Sequence, residues 1–163
     1  MSITDQDLQD REFGVAPPET LKEMSGLEFL TAMIEGDLPA PPIARSLGFT
    51  LAEVSEGRAL FRGTPAFDYY NPIGSVHGGW AATLLDSCMA CAVQTTLPKG
   101  SGYTTLEIKV NFVRAVTEAS GPVEAEGRLI QTGRRIGVSE GRLTDGEGRL
   151  LAHGTTTCLI FAL

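Results

Sequence analysis

The stretch Gly78-Gly-Trp-Ala-Ala-Thr-Leu-Leu-Asp-Ser-Cys-Met-Ala-Cys-Ala-Val-Gln-Thr-Thr-Leu97 decides the fold of this chain. It can form one helix of about five turns, and the sequence Pro98-Lys-Gly100 closes it. Apolar residues occupy nearly all sides of this helix, which is typical of a buried helix. The only ionisable carboxylate or base within it is Asp86. Burying a lone carboxylate costs several kcal/mol unless something compensates, so Asp86 is a candidate catalytic group.

Strand patterns lie on both sides of this helix. Residues 49–54 and 58–62 alternate around a Ser-Glu-Gly turn and predict a hairpin. After the helix, further strands are predicted at residues 105–113, 122–131, 135–144 and 149–161. The first of these places Leu106, Ile108, Val110 and Phe112 on one face. Two strands, one helix and then a meander predict an α+β fold with an antiparallel sheet around the central helix.

The first 42 residues are predicted to consist of an acidic leader and an N-terminal helix ahead of the main domain at residues 43–163. Residues 1–16 are interpreted as a loose acidic leader. Apolar residues at three- and four-residue spacing predict an additional N-terminal amphipathic helix over residues 21–34. Thr20 and Glu23 have capping-box spacing at its start, Gly36 and Pro39 are stop signals, and Pro39-Ala-Pro-Pro42 is a short connector.

Composition narrows the classes of function. The chain has 163 residues, 42% of them hydrophobic, which suits one domain with an ordinary core. Its formal charge of −7 argues against nucleic acid or an anionic membrane as partner. The acidic, polar amino terminus lacks an export signal, and three cysteines are few and odd in number, so a cytoplasmic location is expected. An anionic ligand would need a local cluster of arginines.

The loop before the helix carries polar residues at a fixed spacing from Asp86, which indicates a site at the start of the helix. Asn71 precedes His77-Gly78-Gly79 by six residues, and Asp86 follows His77 by nine. At the start of a helix the first N–H groups lack intrahelical partners, and glycine lets a ligand approach them closely. The Gly78 N–H would therefore polarise a carbonyl or stabilise an oxyanion. Asp86 could act beside it as a general base on water or as the nucleophile.

This constellation, with the order of elements from Leu47 to Phe161, resembles the hot-dog-fold acyl-CoA thioesterases of the phenylacetate-degradation type. The resemblance implies that Asn71 and the Gly78 N–H polarise the thioester carbonyl. His77 would support Asn71 or the departing thiolate, and Asp86 would activate or orient water. It also implies a hydroxyl beside the carboxylate, for which Thr105 is the candidate and Thr104 the near rival.

The resemblance further implies a pocket between two subunits, with Asn71 and Gly78 of one chain facing Asp86 and Thr105 of the other. An obligate dimer, often paired into a tetramer, follows from that. Coenzyme A would enter only as part of the substrate, and no separate cofactor is expected. Its phosphates or adenosine could meet arginines, whose fork geometry suits phosphate. The candidates are Arg114, Arg134 and Arg135.

Several alternatives stay open at this point. Asp86 could be a buried structural carboxylate, and His77 could be a helix-entry residue that caps a carbonyl. The three arginines could lie in ordinary solvated positions. A hot-dog hydratase or dehydratase is a second function, although such enzymes resemble Asp-x-Asn-Pro followed closely by His, and here His77 comes five residues after Pro72. A non-catalytic acyl-CoA-binding protein is the third.

Two other motifs favour packing over chemistry. Cys88 and Cys91 form a C-x-x-C, but both fall within the helix and no thioredoxin-like unit precedes them. His153 lies in an alternating strand, and with only two histidines no metal site is predicted.

Overall fold

The computed structural model describes residues 11–163, and most of the predicted acidic leader lies outside these residues. The helices are α1 (Pro18–Glu23), α2 (Gly26–Glu35), α3 (Pro42–Leu47) and α4 (Gly78–Gln94). The strands are β1 (Phe49–Ser55), β2 (Arg58–Gly63), β3 (Ser101–Phe112), β4 (Val123–Thr132), β5 (Ile136–Asp145) and β6 (Leu150–Ala162). Each predicted strand is present, and the central helix ends three residues before the predicted Leu97.

The strands form one antiparallel sheet in the order β1-β2-β4-β5-β6-β3. The predicted meander is right for β4, β5 and β6 but wrong for β3, which pairs with β6 at the edge of the sheet. The connection over residues 113–122 therefore crosses from that edge to the middle of the sheet. Alternation within a strand does not specify its neighbour, so the sequence pattern missed this crossover.

The sheet wraps around α4, whose burial on nearly all sides is confirmed. Leu84, Leu85, Cys88 and Met89 of this helix are fully buried. The close approach is clearest at Gly127 of β4, where an added Cβ would lie 2.1 Å from the carbonyl oxygen of Cys88. Only glycine fits at that position, and the helix passes directly against the sheet.

The predicted N-terminal amphipathic helix is wrong as a single element, because the chain forms α1 and α2 with a break at Met24 and Ser25. The capping box belongs to Ser25 and Glu28, which satisfy each other's backbone N–H groups, and not to Thr20 and Glu23. The break coincides with a contact to the turn that follows α4: the Gly26 N–H donates to the carbonyl oxygen of Leu97 at 2.9 Å. The predicted stop at Gly36 is confirmed by its left-handed φ of 89°.

Residues after Gly36 also differ slightly from the prediction. The expected connector Pro39–Pro42 ends in α3, with Pro42 at the first helical position that suits proline. Among residues 11–163, no helix combines the length and apolar character needed to cross a membrane.

Candidate active site

The carboxylate of Asp86 lies in the middle of α4 and meets the first part of β3. The Thr105 hydroxyl donates a hydrogen bond of 2.9 Å to Asp86 Oδ1. Thr104 lines the same cavity as Asp86, but among the described residues the hydrogen bond to the carboxylate comes from Thr105. A β-bulge between Thr105 and Glu107 follows directly, a local irregularity that commonly re-aims side chains near functional sites. The geometry thus selects Thr105 over Thr104 as the hydroxyl beside the carboxylate.

Asp86 lines a cavity of about 630 Å³, within the size range of small-molecule sites. Of the lining contributed by residues 11–163, Asp86 supplies the only carboxylate. Burial raises the pKa of the Cys91 thiol to about 12, and burial also raises the pKa of Tyr103 well above its usual range. Both groups therefore stay protonated at neutral pH. Neither can serve as an anionic nucleophile there, which leaves Asp86 as the acid–base candidate.

The Asn71 side chain is held in a tight loop. Its Oδ1 accepts hydrogen bonds from the N–H groups of Ile73 at 3.0 Å and Ser75 at 3.5 Å. Its Nδ2 donates to the Ser75 hydroxyl at 3.2 Å. An amide nitrogen has two hydrogens, so one remains for an outside acceptor while the loop fixes the direction of the side chain.

His77 occupies the N-cap of α4. Its Nδ1 accepts a hydrogen bond of 2.8 Å from the Gly79 N–H. His77 therefore caps a helix amide, whereas the alternative described above had it capping a carbonyl. In the neutral imidazole the proton then lies on Nε2, which is a donor at an exposed side chain.

Gly78 begins the helix, and its N–H finds no acceptor among the described residues. An added Cβ at this position would lie 3.0 Å from the ring of Phe112, so the site is tight as well as polar. Asn71, His77, Gly78 and Arg114 line a second cleft of about 320 Å³. A free N–H at the positive end of a 17-residue helix can stabilise developing negative charge.

The two groups of residues do not meet within one chain. Gly78 and Asp86 are eight residues apart on the same helix, so they differ by about 12 Å along its axis and by about 80° around it. A water-activating base and a carbonyl-polarising donor must both lie within about 3 Å of one reacting group. The structure therefore brings Asp86 to Thr105, and Asn71 to His77 and Gly78, as two half-sites.

Strand β3 connects the two half-sites. Thr105 near its start contacts Asp86, and Phe112 at its end packs against Gly78. Between them the apolar face predicted from the sequence is largely exposed: Leu106 is 54% exposed, Ile108 39% and Phe112 58%. An edge strand with such a face is a template for pairing with another chain.

The predicted coenzyme-binding arginines lie in two separate places. Arg114 follows the end of β3 and lines the cleft with Asn71. Arg134 and Arg135 lie in the β4–β5 turn, where the carbonyl of Arg135 accepts a hydrogen bond from Ile160 on β6. That turn is about two strand spacings, or roughly 10 Å, from the start of β3. All three side chains are exposed.

Several residues of the cavity were not predicted from the sequence. Gln94 follows Asp86 and Ala90 at four-residue spacing on one face of α4, a signal that was present in the pattern. Tyr103 and the lining residues before position 48 carried no comparable signal. Cys88 is fully buried and Cys91 half-buried, both as free thiols, in keeping with the packing interpretation.

A family model and several known proteins are similar to this chain. The model of the thioesterase superfamily matches residues 73–152. A predicted esterase of Halobacterium salinarum is 28% identical over 67% of this chain and 74% of its own length. A second predicted esterase, from Saccharolobus solfataricus, is 33% identical over 54% of this chain and 57% of its own length.

Solved structures give the same result for the fold. A phenylacetic acid degradation-related protein and predicted thioesterase from Ralstonia eutropha is 29% identical, with a TM-score of 0.73 over 80% of this chain and 98% of that one. A point mutant of the phenylacetic acid degradation protein PaaI from Thermus thermophilus is 27% identical, with a TM-score of 0.65 over 72% of this chain and 97% of that one. The predicted hot-dog fold is thereby confirmed, together with the expected likeness to phenylacetate-degradation proteins.

Proposed function

We propose that the substrates of this hot-dog-fold thioester hydrolase are acyl-CoA thioesters, and that two copies of the chain together complete the site that hydrolyses them. The observation that carries this proposal is the division of the site. The base candidate Asp86 and the free Gly78 N–H lie about 12 Å apart on one helix, too far to act on one carbonyl.

Strand β3 supplies the means of joining the half-sites. If two copies pair their exposed β3 edges in antiparallel fashion, the start of one strand lies beside the end of the other. Thr105 and Phe112 mark these two ends, so the Asp86 half-site of one copy meets the Gly78 half-site of its partner. The same pairing covers the exposed apolar face of β3, and a two-fold axis generates two such sites. The tetramer implied by the family resemblance stays a prediction.

The chemistry at the joined site is acyl transfer to water. Asp86 takes a proton from water as the water oxygen bonds to the thioester carbonyl carbon. The carbonyl electron pair moves onto oxygen, where the Gly78 N–H and the free hydrogen of Asn71 Nδ2 stabilise the oxyanion. Collapse of this intermediate breaks the C–S bond, the electron pair leaves with sulfur, and the thiolate takes up the proton. The products are the free acid and coenzyme A.

Two further groups act around this step. Thr105 holds the Asp86 carboxylate through its hydroxyl, so the base keeps one orientation. His77 directs Nε2–H outward because Nδ1 is occupied by the Gly79 amide, and this donor suits the departing sulfur or the carbonyl. In the paired arrangement Arg114 of one copy approaches the β4–β5 turn of the other. A cluster of arginines would then bind the coenzyme phosphates against the negative charge of the whole chain.

The proposal is tested by the products formed from a panel of acyl-CoA esters. The purified protein should release free thiol, measured with a disulfide dye, together with one equivalent of acid. Crotonyl-CoA should yield thiol without formation of the 3-hydroxyacyl product, which distinguishes hydrolysis from hydration. Release of thiol only from esters carried on protein-bound pantetheine would contradict coenzyme A as the carrier.

A further inference from the structure

The cavity beside Asp86 has one wall that the hot-dog core does not provide. Helix α2 contributes Phe29, Leu30 and Met33 to the lining, and these positions follow the three- and four-residue spacing of a single helix face. Opposite them lies the α4 face that carries Asp86, Ala90 and Gln94. The N-terminal segment and the central helix therefore both line the cavity, and Asp86 lies on the helical side of it.

The N-terminal segment is fixed in place by specific contacts. The Arg11 guanidinium donates to the carbonyl oxygens of Met33 and Ile34 in the last turn of α2, both at 3.0 Å. It also donates to the Thr50 hydroxyl. At the other end of α2, the Gly26 N–H bonds to the Leu97 carbonyl. An added Cβ at Gly26 would lie 1.8 Å from the Gln94 carbonyl oxygen, so α2 begins directly against α4. A wall held at both ends can discriminate between ligand shapes.

The chemistry of the lining indicates what the cavity accepts. Leu30 is buried, Phe29 and Met33 are half-buried, and all three are apolar side chains facing the space beside Asp86. Gln94, two turns further along the same face of α4, also lines the cavity as a mostly buried amide, 9% exposed. The rise from Asp86 to Gln94 is about 12 Å along the helix. A carbonyl held at Asp86 would thus place an apolar tail of about that length along α2.

We infer that the segment from Arg11 to α2 forms the acyl-selecting wall of the site, and that it selects an apolar acyl group of medium-chain or arylalkyl size. This inference rests on the proposed hydrolysis at Asp86 and adds the part of the chain that sets substrate choice. Each methylene buried along the wall should raise kcat/KM about fourfold, up to the length at which the chain reaches Gln94.

The test compares kcat/KM for acetyl-CoA and octanoyl-CoA in three variants. Met33→Ala removes part of the wall, and Met33→Trp fills the cavity. Ile34→Ala is the matched control, since Ile34 is the next residue of α2 but does not line the cavity. Both Met33 variants should lower the octanoyl value at least tenfold and leave the acetyl value within about twofold, while Ile34→Ala changes their ratio little.

Turnover of acetyl-CoA in each variant also reports that the variant is folded. Equal losses on both esters would show a merely structural wall and would overturn the inference. Failure of the proposed function is a different result, in which the unmodified protein releases no thiol from any ester. In that case binding of an octyl-CoA thioether, which cannot be hydrolysed, still measures the wall. Equal affinity of this thioether for the unmodified protein and Met33→Trp would overturn the inference there too.

Discussion

Replacing Asp86 with asparagine separates a catalytic carboxylate from a structural one. The amide has nearly the same shape, and its oxygen can still accept the 2.9 Å hydrogen bond from Thr105. What it cannot do is take a proton from water. We therefore expect kcat to fall about 10²- to 10⁴-fold, or about 3 to 5 kcal/mol of barrier, with KM little changed. Because a neutral amide is easier to bury than a carboxylate, the Tm should hold or rise.

A matched control is available elsewhere in the chain. Asp145 is a buried carboxylate that structural bonds do lock: it accepts from the N–H groups of Glu147 at 3.1 Å and Arg149 at 2.9 Å, and from Arg149 Nε at 2.7 Å. Asp145→Asn should lower the Tm and leave kcat within about twofold. The assay is thiol release from acyl-CoA, with thermal melts of both variants. An Asp86→Asn protein that keeps most of its turnover but melts earlier would refute the catalytic assignment.

Three further predictions follow from contacts in the structure. Thr105→Val should lower kcat about 10- to 100-fold, because the hydrogen bond that orients the Asp86 carboxylate is lost. Thr105→Ser keeps a hydroxyl and should restore most of the activity. Equal activity of the two variants would contradict this role of Thr105. Arg114→Ala should raise KM more for CoA esters than for esters of a truncated pantetheine thiol, and equal effects on both would remove Arg114 from the coenzyme contact. Burial disfavours the Asp145 anion, but hydrogen bonds from Arg149 and nearby amides outweigh it and lower the pKa of Asp145. The ionised Asp145 therefore stabilises the fold above its unfolded pKa of about 4, and this stabilisation is lost as the pH falls through the lower folded pKa. The difference in Tm between wild type and Asp145→Asn should shrink on acidification. A difference in Tm that does not depend on pH would count against this role of Asp145.

The sequence predicted those features that depend on local chemistry. The start of α4 at Gly78 was predictable because the polar loop ends at His77-Gly78-Gly79 and a helical run of apolar residues follows. The burial of this helix followed from its composition, and the Asp86–Thr105 pair followed from the family resemblance. The first two features require no knowledge of which elements pack together, whereas the Asp86–Thr105 contact joins α4 to β3 and was expected only because of the resemblance.

Features that depend on tertiary contacts were missed. The position of β3 beside β6 is set by a crossover that alternation cannot reveal. The break before α2 coincides with the contact of Gly26 to the turn that follows α4, although Ser25 and Glu28 already had capping-box spacing. The cavity wall on α2 could not be assigned either, because its apolar residues predict burial without saying against what.

The central claim is that each active site takes Asp86 from one copy and Asn71 with Gly78 from another. It is tested most directly by mixing Asp86→Asn and Asn71→Ala subunits, each nearly inactive alone, after unfolding and refolding them together. Random pairing makes half of the dimers mixed, and one of the two sites in each mixed dimer is intact, so about a quarter of wild-type activity should return. Activity that stays at the level of the separate variants, in a mixture shown to contain mixed dimers, would contradict the shared site.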